Sequence, residues 1–221
     1  LVLQHPEILV VLQAVAHGAE AQRTERAVLA RVGDRAVAER QAFRIVLAGG
    51  STPEAAYRLL AELGADWARW HVYFGDERCL PAGDPERNDS MARESWLDAV
   101  PVPPGQVHPI PAELGAESAA TAYSMELAAH GDFDLVLLGL GEDGHTASLF
   151  PGHVHPAGEL VHGVSGAPKP PPERVSLSRE ALSDSRDVLI LITGTGKHEA
   201  VQRWRAGEHL PIAQITASEH L

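Results

Sequence analysis

At 221 residues, with 44% hydrophobic and 22% charged residues, the chain is long enough to bury a full core and carries no long disordered tract. Its formal net charge of -12, from 30 acidic and 18 basic residues, argues against a nucleic-acid partner, which calls for a basic face. No run of ~18 uncharged apolar residues is present to span a membrane. Any anionic ligand must therefore be held by local donors, against an unhelpful overall field. Cys79 is the only cysteine, so no intramolecular disulfide is possible, and a cytoplasmic location is expected. The 12 histidines are mostly scattered, and His153-Val154-His155 has no cysteine partners, so no metal is expected. The apolar start lacks a basic region and a small-residue cleavage site, so it does not read as a signal peptide. It begins at Leu1 rather than Met, and the N-terminus is expected to be incomplete.

Residues 7–40, rich in Ala, Glu and Arg, read as helical, with Gly18 and Gly33 as weak points. Phe43 to Ala48 reads as a strand ended by Gly49-Gly50. Ser51-Thr52-Pro53-Glu54 then opens a helix, Ser51 and Glu54 having the capping-box spacing. Ala56, Leu59, Leu60 and Leu63 give that helix one apolar face. Trp70 to Phe74 is a second strand, running into Gly75-Asp76-Glu77-Arg78 and a loop; residues 88–98 read as helix. Five prolines between 101 and 111 mark an irregular connection, and 117–129 read as helix. Phe133 to Leu140 is the third strand, 151–173 a second loop-rich stretch, and Asp187 to Thr193 the fourth strand. Gly194-Thr195-Gly196 ends it, with a helix over 197–206.

Strand, Gly-rich turn and helix recur, and the strands are continuous Val/Ile/Leu/Phe runs. That predicts an α/β fold: a Rossmann-like parallel sheet with helices on both faces and loop-rich insertions around its rim. Residues 1–221 read as one domain. Ligands bind at the carboxyl ends of strands in such sheets. The polar clusters at 49–54, 75–78, 141–145 and 194–197 all follow a strand, so they are expected to converge on one rim.

Gly139 to Gly144 matches G-x-G-x-x-G after a strand, but Pro151 cuts the following helix short and no acidic strand end lies about twenty residues on. A dinucleotide is therefore not expected. Gly194-Thr195-Gly196-Lys197 resembles part of a P-loop, yet Leu191 stands where its first glycine belongs and His198 where Ser or Thr belongs. A lysine at a Gly-rich helix start still suits a single phosphate. Gly49, Gly50, Ser51 and Thr52 suit one better: small residues admit the backbone, two hydroxyls donate, and the helix start is positive. Arg174 and Lys197 are the candidate cations beside them. In Asp143-Gly144-His145, an imidazole of near-neutral pKa is a candidate base with a carboxylate to tune it. Asp76 and Arg78 offer an acid and a guanidinium able to steady a developing oxyanion.

Together these segments resemble the 6-phosphogluconolactonases of the glucosamine-6-phosphate isomerase/6-phosphogluconolactonase family. Leu47 to Pro53 resembles their LSGGSTP segment, and Gly75 to Arg78 with Asn88 their W-DER…N segment. Gly141 to Pro151 resembles the most specific signature, G-x-D-G-H-x-x-S-L-F-P. Pro168 to Pro171, Arg174 to Ser178 and Thr193 to Lys197 follow in order. The likeness covers about 43–212; it is weak before, and Ile212 to Leu221 fits poorly the short closing strand that family members have, so the C-terminus is expected to be truncated or atypical.

The resemblance implies hydrolysis of 6-phosphogluconolactone to 6-phosphogluconate in the oxidative pentose phosphate pathway, without a cofactor, in the cytoplasm. The partner it implies is a small phosphorylated sugar lactone; oligomeric state is left open, with a monomer favoured. It implies that His145 activates water with Asp143 beside it, that Asp76 and Arg78 shape the site around the lactone, and that Ser51, Thr52, Arg174 and Lys197 hold the phosphate. The related deaminases share D-G-H but continue I-A-F-N-E-P, with a glutamate five residues after the histidine. Phe150 stands there in this chain, and a phenyl ring shuttles no protons. Two alternatives are weighed against hydrolysis: a deaminase-like isomerase, and a catalytically silent sugar-phosphate sensor.

Overall fold

A computed structural model describes residues 2–5, 8–12 and 19–217, with side chains from residue 27 onward. In chain order the elements are β1 (Val2–His5), β2 (Ile8–Leu12), α1 (Ala19–Arg40), β3 (Phe43–Leu47), α2 (Ser51–Leu60), β4 (Trp70–Phe74), β5 (Asp76–Arg78) and α3 (Asn88–Ser95). There follow β6 (Val107–His108), α4 (Ala116–Ala128), β7 (Phe133–Gly139), β8 (Val161–Val164), β9 (Arg174–Leu177), α5 (Arg179–Ser183), β10 (Ser185–Ile192) and α6 (His198–Arg205).

The main sheet has the order β1-β2-β10-β7-β3-β4-β6. All its pairs are parallel except β1 with β2 at the edge. β7 is buried over nearly its whole length and β10 over its second half, as continuous apolar runs require in a sheet covered on both faces. The four strands expected from sequence form the centre of this sheet. From β3 the chain moves outward through β4 to β6, then returns to the other side of β3 as β7 and continues to β10. The order therefore reverses between β3 and β7, which opens a crevice at their carboxyl ends.

Two expectations about local structure are corrected. The helix expected over 7–40 is instead β2 followed by α1, which starts only at Ala19; residues 13–18, with Gly18, lie outside the described residues. Ile8 to Leu12 is a β-prone apolar run that gains a full parallel ladder on β10, and that pairing overrides the helical composition around it. The other correction is a second sheet, β5-β9-β8, antiparallel throughout, in stretches where no strand was expected. Its strands have three or four residues, and α4 packs on β8 and β9. Gly75 joins the sheets: its N–H donates to the Leu47 carbonyl (2.9 Å) and its carbonyl accepts from Leu177 N–H (2.8 Å). The small sheet thus stands over the β3/β7 crevice and forms one wall of the site.

Candidate active site

A cleft of about 270 Å³ lies at the reversal point. Residues from all four expected clusters line it, together with Phe150, Lys169 and Arg174. The convergence inferred from strand order is therefore present in space.

The β3 end supplies a backbone cradle. Gly50, not Ser51, is the residue before the first turn of α2, and no side chain caps the helix. Gly50 has φ of 101°, a conformation only glycine adopts readily, so the capping box expected from Ser51 and Glu54 does not form. Glu54 instead pairs with Arg58 one turn on. The uncapped first-turn N–H groups of α2 remain available at the cleft. Tyr57 fixes the cradle by accepting from Ala48 N–H (2.9 Å) and donating to the Ala48 carbonyl (2.8 Å). Thr52 Oγ1 lies 2.6 Å from Thr193 Oγ1, tying α2 to the end of β10.

The β4 end supplies Asp76 and Arg78 on β5. Asp76 is buried; its Oδ2 accepts from Ser148 Oγ (2.6 Å) and its Oδ1 from Asn88 Nδ2 (3.2 Å). Ser148 lies three residues beyond His145, so this bond couples the two halves of the site. Asn88 also donates to the Asp76 carbonyl (2.8 Å), and a Cβ on Gly49 would come within 2.2 Å of Asn88 Oδ1. Arg78 Nη1 donates to the Glu86 carbonyl. Glu77, with no exposed surface, accepts from the N–H groups of Arg78 (2.8 Å), Asn88 (2.7 Å) and Asp89 (2.9 Å), so its carboxylate caps α3.

The β7 end supplies the candidate base. His145 Nδ1 lies 2.5 Å from Asp143 Oδ1, and the His145 N–H donates to the same oxygen at 3.2 Å. An ionised carboxylate only accepts, so Nδ1 carries the proton and Nε2 the lone pair. Burial pushes the His145 pKa below 6.5, Asp143 pulls it back, and Lys169 adds to the lowering; the imidazole is neutral at pH 7. Asp143 is held below its ordinary value by His145 although burial opposes this. Asp143 sits behind the imidazole rather than on the cleft wall. The Phe150 ring packs on His145, centroids 4.8 Å apart.

Gly141 makes room for this pair: a Cβ there would come within 2.0 Å of His145 Nδ1 and 2.6 Å of Asp143 Oδ1. Gly141→Ala is expected to displace the imidazole and lower turnover by about a hundredfold, the scale of lost acid–base assistance, with little change in melting temperature. Kinetics beside a thermal melt check this, and a melt lowered in proportion to the activity would contradict it.

Arg174 is buried, and its Nε and Nη2 donate to the carbonyls of Pro171 (3.1 Å), Lys169 (3.2 Å) and Pro170 (3.1 Å). These bonds hold the loop carrying Lys169 at the cleft, a residue absent from the candidates read from sequence. Asn88 and Ser148 likewise received no role of their own. Their signal was in the segments that resemble the family; their positions came only with the second sheet. Arg78, Lys169, Arg174 and Lys197 are the cations on the cleft wall and Asp76 its carboxylate, so the local field favours an anion in an acidic chain. Among the described residues no group of three or more His, Cys, Asp or Glu is placed to hold a metal ion.

A family model described as glucosamine-6-phosphate isomerases/6-phosphogluconolactonase matches residues 17–221, beyond both ends of the stretch that carries the motifs. The chain is 42% identical over 206 residues to a 6-phosphogluconolactonase of Mycobacterium leprae, covering 86% of this chain and 83% of that protein. It is 36% identical over 213 residues to the chloroplastic 6-phosphogluconolactonase 3 of Arabidopsis thaliana, covering 87% and 66%. The crystal structure of a 6-phosphogluconolactonase from Thermotoga maritima superposes with a TM-score of 0.87 at 30% identity, covering 95% of this chain and 96% of that one. The chain belongs to the glucosamine-6-phosphate isomerase/6-phosphogluconolactonase family.

Proposed function

We propose that the chain hydrolyses 6-phosphogluconolactone to 6-phosphogluconate, the lactone-opening step of the oxidative pentose phosphate pathway. The observation that carries this reading is the neutral His145, oriented by Asp143 and walled by Phe150. His145 Nε2 takes a proton from water as the water oxygen bonds to the lactone carbonyl carbon. The bond from that carbon to the ring oxygen then breaks, and the proton on His145 passes to the departing oxygen. Arg78 steadies the charge on the carbonyl oxygen. The first turn of α2, Ser51, Thr52 and Lys197 hold the phosphate, with Arg174 and the Lys169 that it positions completing the cationic wall. Asp76, fixed by Ser148 and Asn88, sets the rim against the sugar hydroxyls. Cys79 as a lone free thiol supports a reducing compartment such as the cytoplasm.

Deamination is disfavoured because Phe150, buried against His145, offers no carboxylate for ring opening. A silent sensor would have no use for the His145–Asp143 pair. The purified chain is tested with fresh 6-phosphogluconolactone and, in parallel, glucosamine 6-phosphate: lactone opening without ammonia release is expected, and ammonia release alone would overturn the reading. Lys197→Ala is expected to raise KM by about 10- to 100-fold, the scale of one charged hydrogen bond, with kcat nearly unchanged. A fall in kcat alone would contradict its role in binding.

A further inference from the structure

Behind the Phe150 wall, outside the cleft, lies a histidine pair that the mechanism does not use. The Phe150 N–H donates to His155 Nε2 at 3.2 Å, and His155 Nδ1 lies 3.0 Å from His162 Nε2. The shorter of the two Phe150 contacts, from its N–H, assigns both tautomers. His155 Nε2 accepts, so its proton is on Nδ1 and is given to His162 Nε2; His162 then carries its own proton on Nδ1. His162 is 3% exposed, and Nδ1 has no hydrogen-bond partner among the described residues. The two rings meet edge to face, centroids 5.1 Å apart.

We propose that His155, backed by His162, is a positioning residue that holds Phe150 against the catalytic imidazole, and that it does so only while neutral. This rests on the hydrolytic reading of the site. A proton on His155 Nε2 turns an acceptor into a second donor facing the Phe150 N–H. An acceptor within its reach is then the Phe150 carbonyl, 3.4 Å away, and the N–H that His155 held is released. Phe150 packs directly on His145, so its backbone tether sets the height of that wall.

The surroundings keep the pair neutral at physiological pH. Burial lowers the pKa of His155, the Phe150 carbonyl near Nε2 raises it, and His153, stacked 6.4 Å away, lowers it again. Burial and His155 together lower His162 to about 4, against a raising pull from Glu180 on α5. Arg179 and His209 face the neighbouring cavity that His155 also lines. The Glu117 carboxylate of α4 lies against Gly163 beside His162. The device therefore acts below pH 6.5.

Two variants test this. A glutamine amide at 155 supplies an acceptor and a donor without titrating; a leucine supplies neither. At pH 7.5, His155→Leu is expected to lower kcat/KM for 6-phosphogluconolactone by about tenfold, the scale of one buried polar group left unpaired, and His155→Gln to restore it to within about twofold. As pH falls from 7.5 to 5, the ratio of His155→Gln to wild-type kcat/KM is expected to rise above one, because titration of His145 is common to both. Lactone consumption is followed by NMR to avoid a coupling enzyme. Imidazole ¹⁵N spectra of the wild type, which need no substrate, are expected to show protonated Nδ1 on both histidines and a Phe150 amide shift that titrates with His155. A ratio flat with pH, or a Phe150 amide blind to His155, would overturn the proposal. Absence of lactonase activity with the expected spectra would instead overturn the function on which it rests.

Discussion

His145→Ala is expected to lower kcat for 6-phosphogluconolactone by about 10²- to 10⁴-fold, the contribution of a positioned general base, while KM changes little. In the proposed function the phosphate is held at the first turn of α2 and not by the imidazole, so ground-state binding is expected to survive its loss. Asp143 supports the same conclusion from the other side: it fixes the Nδ1–H tautomer through a 2.5 Å contact and leaves Nε2 basic. Burial places the pKa below 6.5. For a general base the active form is the deprotonated one, so activity is expected to persist as pH falls through 6.5 and to be lost only below the lowered value. An alanine variant with unchanged kcat would remove His145 from the mechanism.

Glu77→Ala is expected to destabilise the fold by about 3–5 kcal/mol, the range for breaking one side of a buried ionic network. For a chain of this size that is a fall of roughly 6–20 °C in melting temperature. The carboxylate satisfies two backbone N–H groups at the start of α3 and that of Arg78 on β5, and Arg87 Nε lies 3.7 Å from its Oε2. Burial raises the Glu77 pKa; the N–H donors pull it back. Without it, two buried donors and the half-buried Arg78 N–H are orphaned, and Arg87 is left with Asp89 and Glu113 as its acidic partners. Because Asn88 and Arg78 are anchored by the same carboxylate, activity is expected to fall with stability. A denaturant melt shifted by less than 1 kcal/mol, a change typical of an exposed site, would contradict this placement.

The central sheet was legible because β3, β4, β7 and β10 are mostly apolar, with polar residues only near their starts, and each is stopped by glycine or a polar turn. The order of those stops was enough to bring the four clusters together. The second sheet was not legible. Asp76–Arg78, Val161–Val164 and Arg174–Leu177 are short, and two of them sit among prolines and polar residues. The pairing of β5 with β9 is non-local, and burial of β8 and β9 under α4 stabilises the sheet. That sheet places Arg174, and Arg174 places Lys169, so a lysine between prolines carried no signal until the carbonyls around it were seen. Ser51 shows the converse failure: its spacing to Glu54 was right for a cap, but the left-handed φ of Gly50 moved the start of α2 by one residue. The His145–Asp143 pair needed no tertiary information, since two residues apart in a glycine-flanked turn already lie within hydrogen-bond reach.

The most direct measurement is the rate of loss of freshly generated 6-phosphogluconolactone at pH 7 with the purified wild-type chain, set against spontaneous opening in the same buffer. Opening faster than the spontaneous rate is expected, proportional to protein concentration, with 6-phosphogluconate as the product. A rate equal to the spontaneous one, from a folded sample that binds the phosphosugar, would contradict it and leave a sugar-phosphate binder in its place.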